Sequence, residues 1–185
     1  MRSHLSCFLM DCRDDLRVFQ GLEIDFSSIG LEQQDSSPYF CTPVGAEYVG
    51  WIGCDGVHFV LLPGDERVFC VDPAMGEVGS YVLPVAEDFH TFLTYLLFCR
   101  DANPLSQIWW MEEKQFRDML AENVSWEGCE EFFARKDQTL ATLSRTFGLT
   151  SQDPWEMVKA LQGRFDPSVL TFSPEYYNVL GLEQP

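Results

Sequence analysis

Glu47-Tyr48-Val49-Gly50-Trp51-Ile52-Gly53-Cys54-Asp55-Gly56-Val57-His58-Phe59-Val60-Leu61-Leu62 is the stretch whose pattern decides the fold. Two apolar runs flank Asp55-Gly56. Asp-Gly between such runs is the strongest short-range hairpin signal, because both turn positions need φ > 0. The stretch reads as two antiparallel strands joined by a two-residue turn, with Cys54 opposite Val57 and Gly53 opposite His58. Pro63-Gly64-Asp65-Glu66 is the next turn. Residues 67–72 form a third strand, closed by Pro73-Ala74-Met75-Gly76, and Ser80-Tyr81-Val82-Leu83 opens a fourth. An earlier strand is expected over residues 18–26. These runs are nearly continuous in hydrophobicity, so a helix layer is expected over one face of the meander.

Helical spacing takes over downstream. Phe89, Phe92, Leu93, Leu96 and Leu97 fall at i, i+3, i+4, i+7 and i+8, an amphipathic stripe. Glu87 and Asp88 favour its start, and Arg100 its end. Asn103-Pro104 opens another helix. Phe116, Met119 and Leu120 mark the next. A longer one carries Phe132, Phe133, Leu140, Leu143 and Phe147 and stops at Gly148. Asp153-Pro154-Trp155-Glu156 and Ser173-Pro174-Glu175 start two more, the last ending at Gly181. The expected fold is α+β: a central, mostly antiparallel β-meander sheet flanked by helices, with a helical C-terminal extension. The expected organisation is one domain over residues 1–185, with the sheet and its packing helix in 38–110. Residues 111–185 form an extension docked on that core.

The 185 residues hold 12 Lys+Arg against 29 Asp+Glu, a net charge of −17. A globule of this mass exposes roughly 9,000 Å². That is about one uncompensated negative charge per 500 Å². Such a surface repels phosphate and anionic lipid, so neither nucleic acid nor a membrane is an expected partner. Apolar residues make up 46% and aromatics 14%, enough to build a core. The charge is uneven. Residues 1–17 are neutral, residues 18–99 carry −11, and residues 100–185 carry −6. The middle segment has twelve acids and one base, Arg67. The first ten residues are too short and interrupted an apolar run for a signal peptide, and seven cysteines are an odd count. Reduced thiols in the cytoplasm are the expectation.

The order of these motifs resembles the SUKH superfamily, the group related to the yeast cell-wall synthesis regulator Smi/Knr. The residues that carry the resemblance are the Asp55-Gly56 hairpin, the strand around Phe69, and Val82-Leu83-Pro84-Val85-Ala86-Glu87-Asp88-Phe89-His90-Thr91-Phe92-Leu93. A bacterial branch is the nearest in kind, through Thr42-Pro43-Val44-Gly45-Ala46, Gly50-Trp51, Asp55-Gly56-Val57-His58 and Leu96-Leu97 followed by Cys99. The similarity spans roughly residues 38–120, with weaker echoes at Gln162, Phe165 and Tyr176-Tyr177. It implies an α+β fold and a bacterial immunity protein that binds and neutralises a toxin, often a nuclease.

The residues themselves offer little catalytic chemistry. A Cys–His nucleophile would draw on His4, His58 or His90. In the expected hairpin the pleat sends Cys54 and His58 to opposite faces. No C-x-x-C or H-x-x-x-H spacing marks a zinc site, and no glycine-rich phosphate loop is present, so no metal or cofactor is expected. The carboxylate pairs, such as Asp65-Glu66 and Glu87-Asp88, are sequence neighbours that do not share a face. Trp109-Trp110 is conspicuous. One of the two is expected in the core, leaving the other, Trp110, as an interface anchor. Asp55, Asp65, Glu66, Asp72 and Glu77 gather at strand ends and turns, where their potentials would add into a docking face for a basic protein. The first expectation is therefore a non-enzymatic binding protein with a basic partner, an immunity protein against a toxin domain. A hydrolase-type enzyme using scattered carboxylates or thiols, and a regulatory adaptor, are the alternatives.

Overall fold

The computed structural model describes residues 12–33, 38–122 and 126–184. The expectation about a signal peptide falls on residues 1–10, outside the described residues. Four strands, β1 (Glu47–Trp51), β2 (His58–Leu61), β3 (Val68–Val71) and β4 (Val82–Ala86), pair in chain order, every pair antiparallel. The meander is as the sequence predicts, and with its surrounding helices it makes an α+β fold.

The hairpin register differs from the expected one. Asp55 and Gly56 are both left-handed, at φ 52° and 71°. Val57 N–H donates to Cys54 O at 3.2 Å, closing the turn that Asp-Gly encodes. Gly53 is left-handed as well, at φ 85°. It lengthens the connection to four residues, so Ile52 N–H reaches Val57 O at 2.9 Å. His58 therefore pairs with Trp51 and not with Gly53. Gly56 has a second reason to be glycine: a Cβ there would sit 2.2 Å from Cζ of Tyr39, whose ring lies on the turn.

Cover is expected on one face of the sheet, but both faces are buried. Phe59, Leu61, Val68 and Cys70 point into one cluster, while Val60, Phe69 and Val71 point into another. The first is roofed by α1 (Cys12–Gln20) and α2 (Phe89–Cys99). Asp88 caps α2 by accepting from Thr91 N–H at 2.7 Å. Phe92 of α2 lies 5.0 Å from Phe59, ring to ring. The second face is covered by Phe40, Phe165, Phe172 and Tyr176, with Phe172 stacked on Tyr176 at 4.0 Å.

The strand expected over residues 18–26 is not formed. Leu16 and Phe19, three apart and fully buried, set the inner face of α1 instead. Leu22, Ile24 and Phe26 do alternate as a strand would. They belong to an irregular connection, partly buried on the core, that leads into a 3-10 turn over Phe26–Ile29.

The remaining helices are α3 (Asn103–Gln107), α4 (Glu113–Glu122), α5 (Glu130–Phe147), α6 (Trp155–Gly163) and α7 (Pro174–Leu180). Gly148 and Gly181 end α5 and α7 in the left-handed conformation that the sequence suggests. Phe116 of α4, Leu140 and Leu143 of α5, and Trp155 and Val158 of α6 share the cluster that holds Phe59 and Phe92. Phe132, read as a core position, is exposed. Its ring instead covers Lys136 Nζ at 5.2 Å.

Lys136 is almost wholly buried and pairs with Asp101 Oδ2 at 2.8 Å, tying α5 to the loop before α3. Asp101 Oδ1 meanwhile accepts Asn103 N–H at 3.0 Å. Lys136→Met is expected to cost about 3 kcal/mol, because it leaves the partly buried Asp101 carboxylate without its cation. Adding Asp101→Asn should return part of that loss, since an amide at 101 still accepts from Asn103. Urea unfolding of the double-mutant cycle measures both effects.

Candidate functional site

A meander alternates its turns between two ends of the sheet, and this sorts the acidic residues. The β1–β2 turn and the β3–β4 loop lie at one end, and the β2–β3 turn at the other. Asp55, Asp72 and Glu77 therefore fall at the first end, while Asp65 and Glu66 fall at the second. A four-residue strand separates the ends by about 13 Å. The single docking face expected from all five acids is not what the topology builds.

At the first end each side chain has a local reason for its position. Asp55 is exposed at the tip of the left-handed turn. Asp72 follows the last residue of β3 and is buried. Its Oδ1 accepts from Ala74 N–H at 3.1 Å and Met75 N–H at 2.9 Å, which folds the β3–β4 loop back on the strand. Gly76 N–H then donates to Asp72 O at 3.1 Å. A Cβ at Gly76 would lie 2.5 Å from that oxygen, so the loop requires glycine. Asp72 Oδ2 accepts from Trp109 Nε1 at 3.4 Å. Glu77 is exposed in the same loop, where Ser80 Oγ accepts its backbone N–H at 2.9 Å.

Neither tryptophan of the pair is in the core. Ile108 and Met111 take the buried positions on either side, leaving Trp109 half-buried and Trp110 exposed. Lys159 fixes the segment by donating to Trp109 O at 3.1 Å and Met111 O at 2.9 Å. Its Nζ lies 4.8 Å over the Trp155 ring, and burial holds its pKa below the usual lysine value.

Between these parts opens a pocket of about 240 Å³. Asp55, Asp72 and Trp110 line it, joined by Met75, Asn103 and Gln107. The last three were not legible as site residues. Met75 and Gln107 arrive through the folded-back loop and through α3, and the sequence does not show that α3 ends beside the β1–β2 turn. The Asp72-Pro73-Ala74-Met75 turn was the one available signal for Met75.

The other end is electrostatically different. Asp65 takes Arg67 Nε at 2.9 Å and Nη2 at 2.6 Å, and also accepts Arg67 N–H at 3.0 Å. Burial alone would raise the Asp65 carboxyl. The Arg67 hydrogen bonds and charge outweigh it and hold the carboxyl below its usual value. The only base of residues 18–99 is thus spent on Asp65, with its guanidinium packed over Phe69 and Phe165. Glu66 beside it is exposed.

Among the described residues the catalytic candidates do not assemble, and His4 lies outside those residues. Cys54 is exposed in its turn, whereas His58 is buried, and among the described residues they share no hydrogen bond. His90 Nε2 donates to Phe147 O at 3.2 Å, joining α2 to the end of α5. Burial pushes the Cys41 thiol up to about 12 and drives Cys70 and Cys99 up as well. Among the described residues no group of three or more His, Cys, Asp or Glu side chains is placed to hold a metal ion. No helix among them is long and apolar enough to cross a membrane.

Comparison with known proteins adds no relative: no family model matches the chain, and neither the curated proteins nor the solved structures contain a match.

His58 is instead a clamp on the β1–β2 turn. Its Nδ1 lies 2.7 Å from Gly56 O, and a carbonyl only accepts, so Nδ1 carries the proton. Thr42 Oγ1 accepts Tyr39 N–H at 2.9 Å and lies 3.2 Å from His58 Nε2, to which it donates. Trp51 stacks on the imidazole at 4.3 Å. Burial lowers the His58 pKa from 6.5 to about 4, against the opposing pull of the Gly56 carbonyl. The native form is neutral, so the unfolded chain binds the extra proton between those values. The stabilisation is full above pH 6.5 and disappears as pH falls to about 4. It amounts to about 3 kcal/mol. His58→Gln should lower stability at pH 7 yet make its decline between pH 6.5 and 4 shallower by about that amount. Urea unfolding of both proteins across that range is the measurement.

Proposed function

We propose that this chain is a binding protein that captures and neutralises a basic protein. By its resemblance to the Smi/Knr-related group, that partner is a toxin domain, such as a nuclease, and the chain is a cytoplasmic immunity protein. One observation carries the reading. The first end of the sheet presents exposed Trp110 and Met75 with the Asp55 carboxylate at one pocket, and exposed Glu77 in the loop that carries Met75. Aromatic and methionine anchors with a charged rim are the composition of a protein-binding hot spot. A net charge of −17 adds long-range attraction for a cation-rich partner. Buried, unpaired thiols at Cys41, Cys70 and Cys99 fit a reducing compartment.

The gene beside this chain's own is expected to encode a protein with a basic toxin domain, which is then the partner tested; a neighbour with no such domain counts against the reading. Co-expression should restore growth, and the two proteins should form a complex whose association slows with salt. Asp55→Lys with Glu77→Lys should reduce the association rate about tenfold at low salt. At about 0.1 M salt Glu66→Lys should change the rate less than about twofold, because the Debye length there is about 10 Å and the far end lies beyond it. Neutralisation should survive Cys54→Ser and His90→Gln, which an enzyme using either group would not tolerate. Equal association rates for the wild type and the Asp55/Glu77 variant, measured by stopped flow, would remove this end of the sheet as the docking surface.

A further inference from the structure

We propose that the pocket between the Asp55 turn and Trp110 receives one arginine side chain of the protein partner, an inference that rests on the binding role above. Size is the first argument. At about 240 Å³ the pocket lies below the roughly 300–1,000 Å³ of cofactor and drug-sized sites. It suits a single long side chain.

Charge is the second. No Lys, Arg or His lines the pocket. Asp55 is exposed at its mouth and makes no ion pair among the described residues. Asp72 is buried in its wall, and its Oδ2 has one long contact, Trp109 Nε1 at 3.4 Å. A third acceptor comes from α3. Gln107 Nε2 donates to Asn103 Oδ1 at 2.9 Å, which leaves Gln107 Oε1 without a protein donor among the described residues. Asp55, Asp72 and Gln107 thus bring three acceptor-bearing side chains to one small space that no cationic side chain lines.

Shape decides between the two basic residues. Trp110 supplies an indole and Met75 a flexible apolar wall. An arginine stem packs on such walls, while its planar guanidinium stacks on the indole and forks to two acceptors at once. A lysine ammonium is a compact, strongly hydrated charge that loses more on entry and cannot fork. Arg67 does not compete for the place, because it is held by Asp65 at the opposite end of the sheet.

The test titrates the isotope-labelled full chain with Nα-acetyl-arginine methylamide, alongside the lysine and citrulline counterparts. Citrulline keeps arginine's length and plane but removes its charge. The expected result is a saturable shift of the Trp110 indole N–H and the Gln107 side-chain amide. Lysine should bind about threefold more weakly, and citrulline about tenfold. Asp55→Asn should weaken the arginine probe at least about threefold, and Glu66→Gln should not. Asp72 is left intact, since its carboxylate also holds the loop. Equal shifts from citrulline and arginine, or no shift at about 100 mM probe, would overturn the assignment. Association of the neighbouring toxin domain is followed on the same variants. If the partner binds but the arginine probe does not, the pocket assignment falls and the binding role stands. If the probe saturates the pocket but the chain neither binds nor neutralises that domain, the binding role falls and the arginine site stands.

Discussion

β2 and β3 bury every side chain they carry, on both faces of the sheet. A buried strand position has no room for an unpaired charge. The acids that flank β2 and β3 therefore fall in the turns and not in the strands. Once there, the meander sorts them by end, with Asp55, Asp72 and Glu77 at one and Asp65 and Glu66 at the other. Burial of the sheet thus fixes where the negative potential sits, before any partner is considered.

The parts legible in the sequence are those governed by local rules. Asp55-Gly56 demanded a left-handed turn, Asp88 a helix start, and Gly148 and Gly181 helix stops, and each is found there. What escaped depends on contacts between distant segments. The left-handed Gly53 moves the His58 register by two residues, although Asp55-Gly56 itself takes the left-handed turn it encodes. Leu22, Ile24 and Phe26 alternate like a strand, but β1 takes its outer partner at Glu32, through an isolated bridge to Trp51. Periodicity describes one segment at a time, and which segment lies beside which is outside its reach.

The candidate site shows the same division. Residue type and turn position single out Asp55, Asp72 and Trp110, and the structure brings them to one pocket. Met75, Asn103 and Gln107 complete it only because α3 ends beside the hairpin. Asp65 looked equivalent to Asp55 in the sequence, yet Arg67 two residues later neutralises it. An acid's functional meaning here depends less on its own identity than on whether a cation is close enough to claim it.

The cover on the second face of the sheet has a consequence for how the chain is made. β4 ends at residue 86, but Phe165, Phe172 and Tyr176, which close that face, come some eighty to ninety residues later. At about 5–20 residues per second, synthesis leaves Val60, Phe69 and Val71 open for roughly 4–20 s. For that interval this face has Phe40 against it but lacks the rest of its cover. The last helix of the chain is the lid that ends its exposure to chaperones and to other nascent chains.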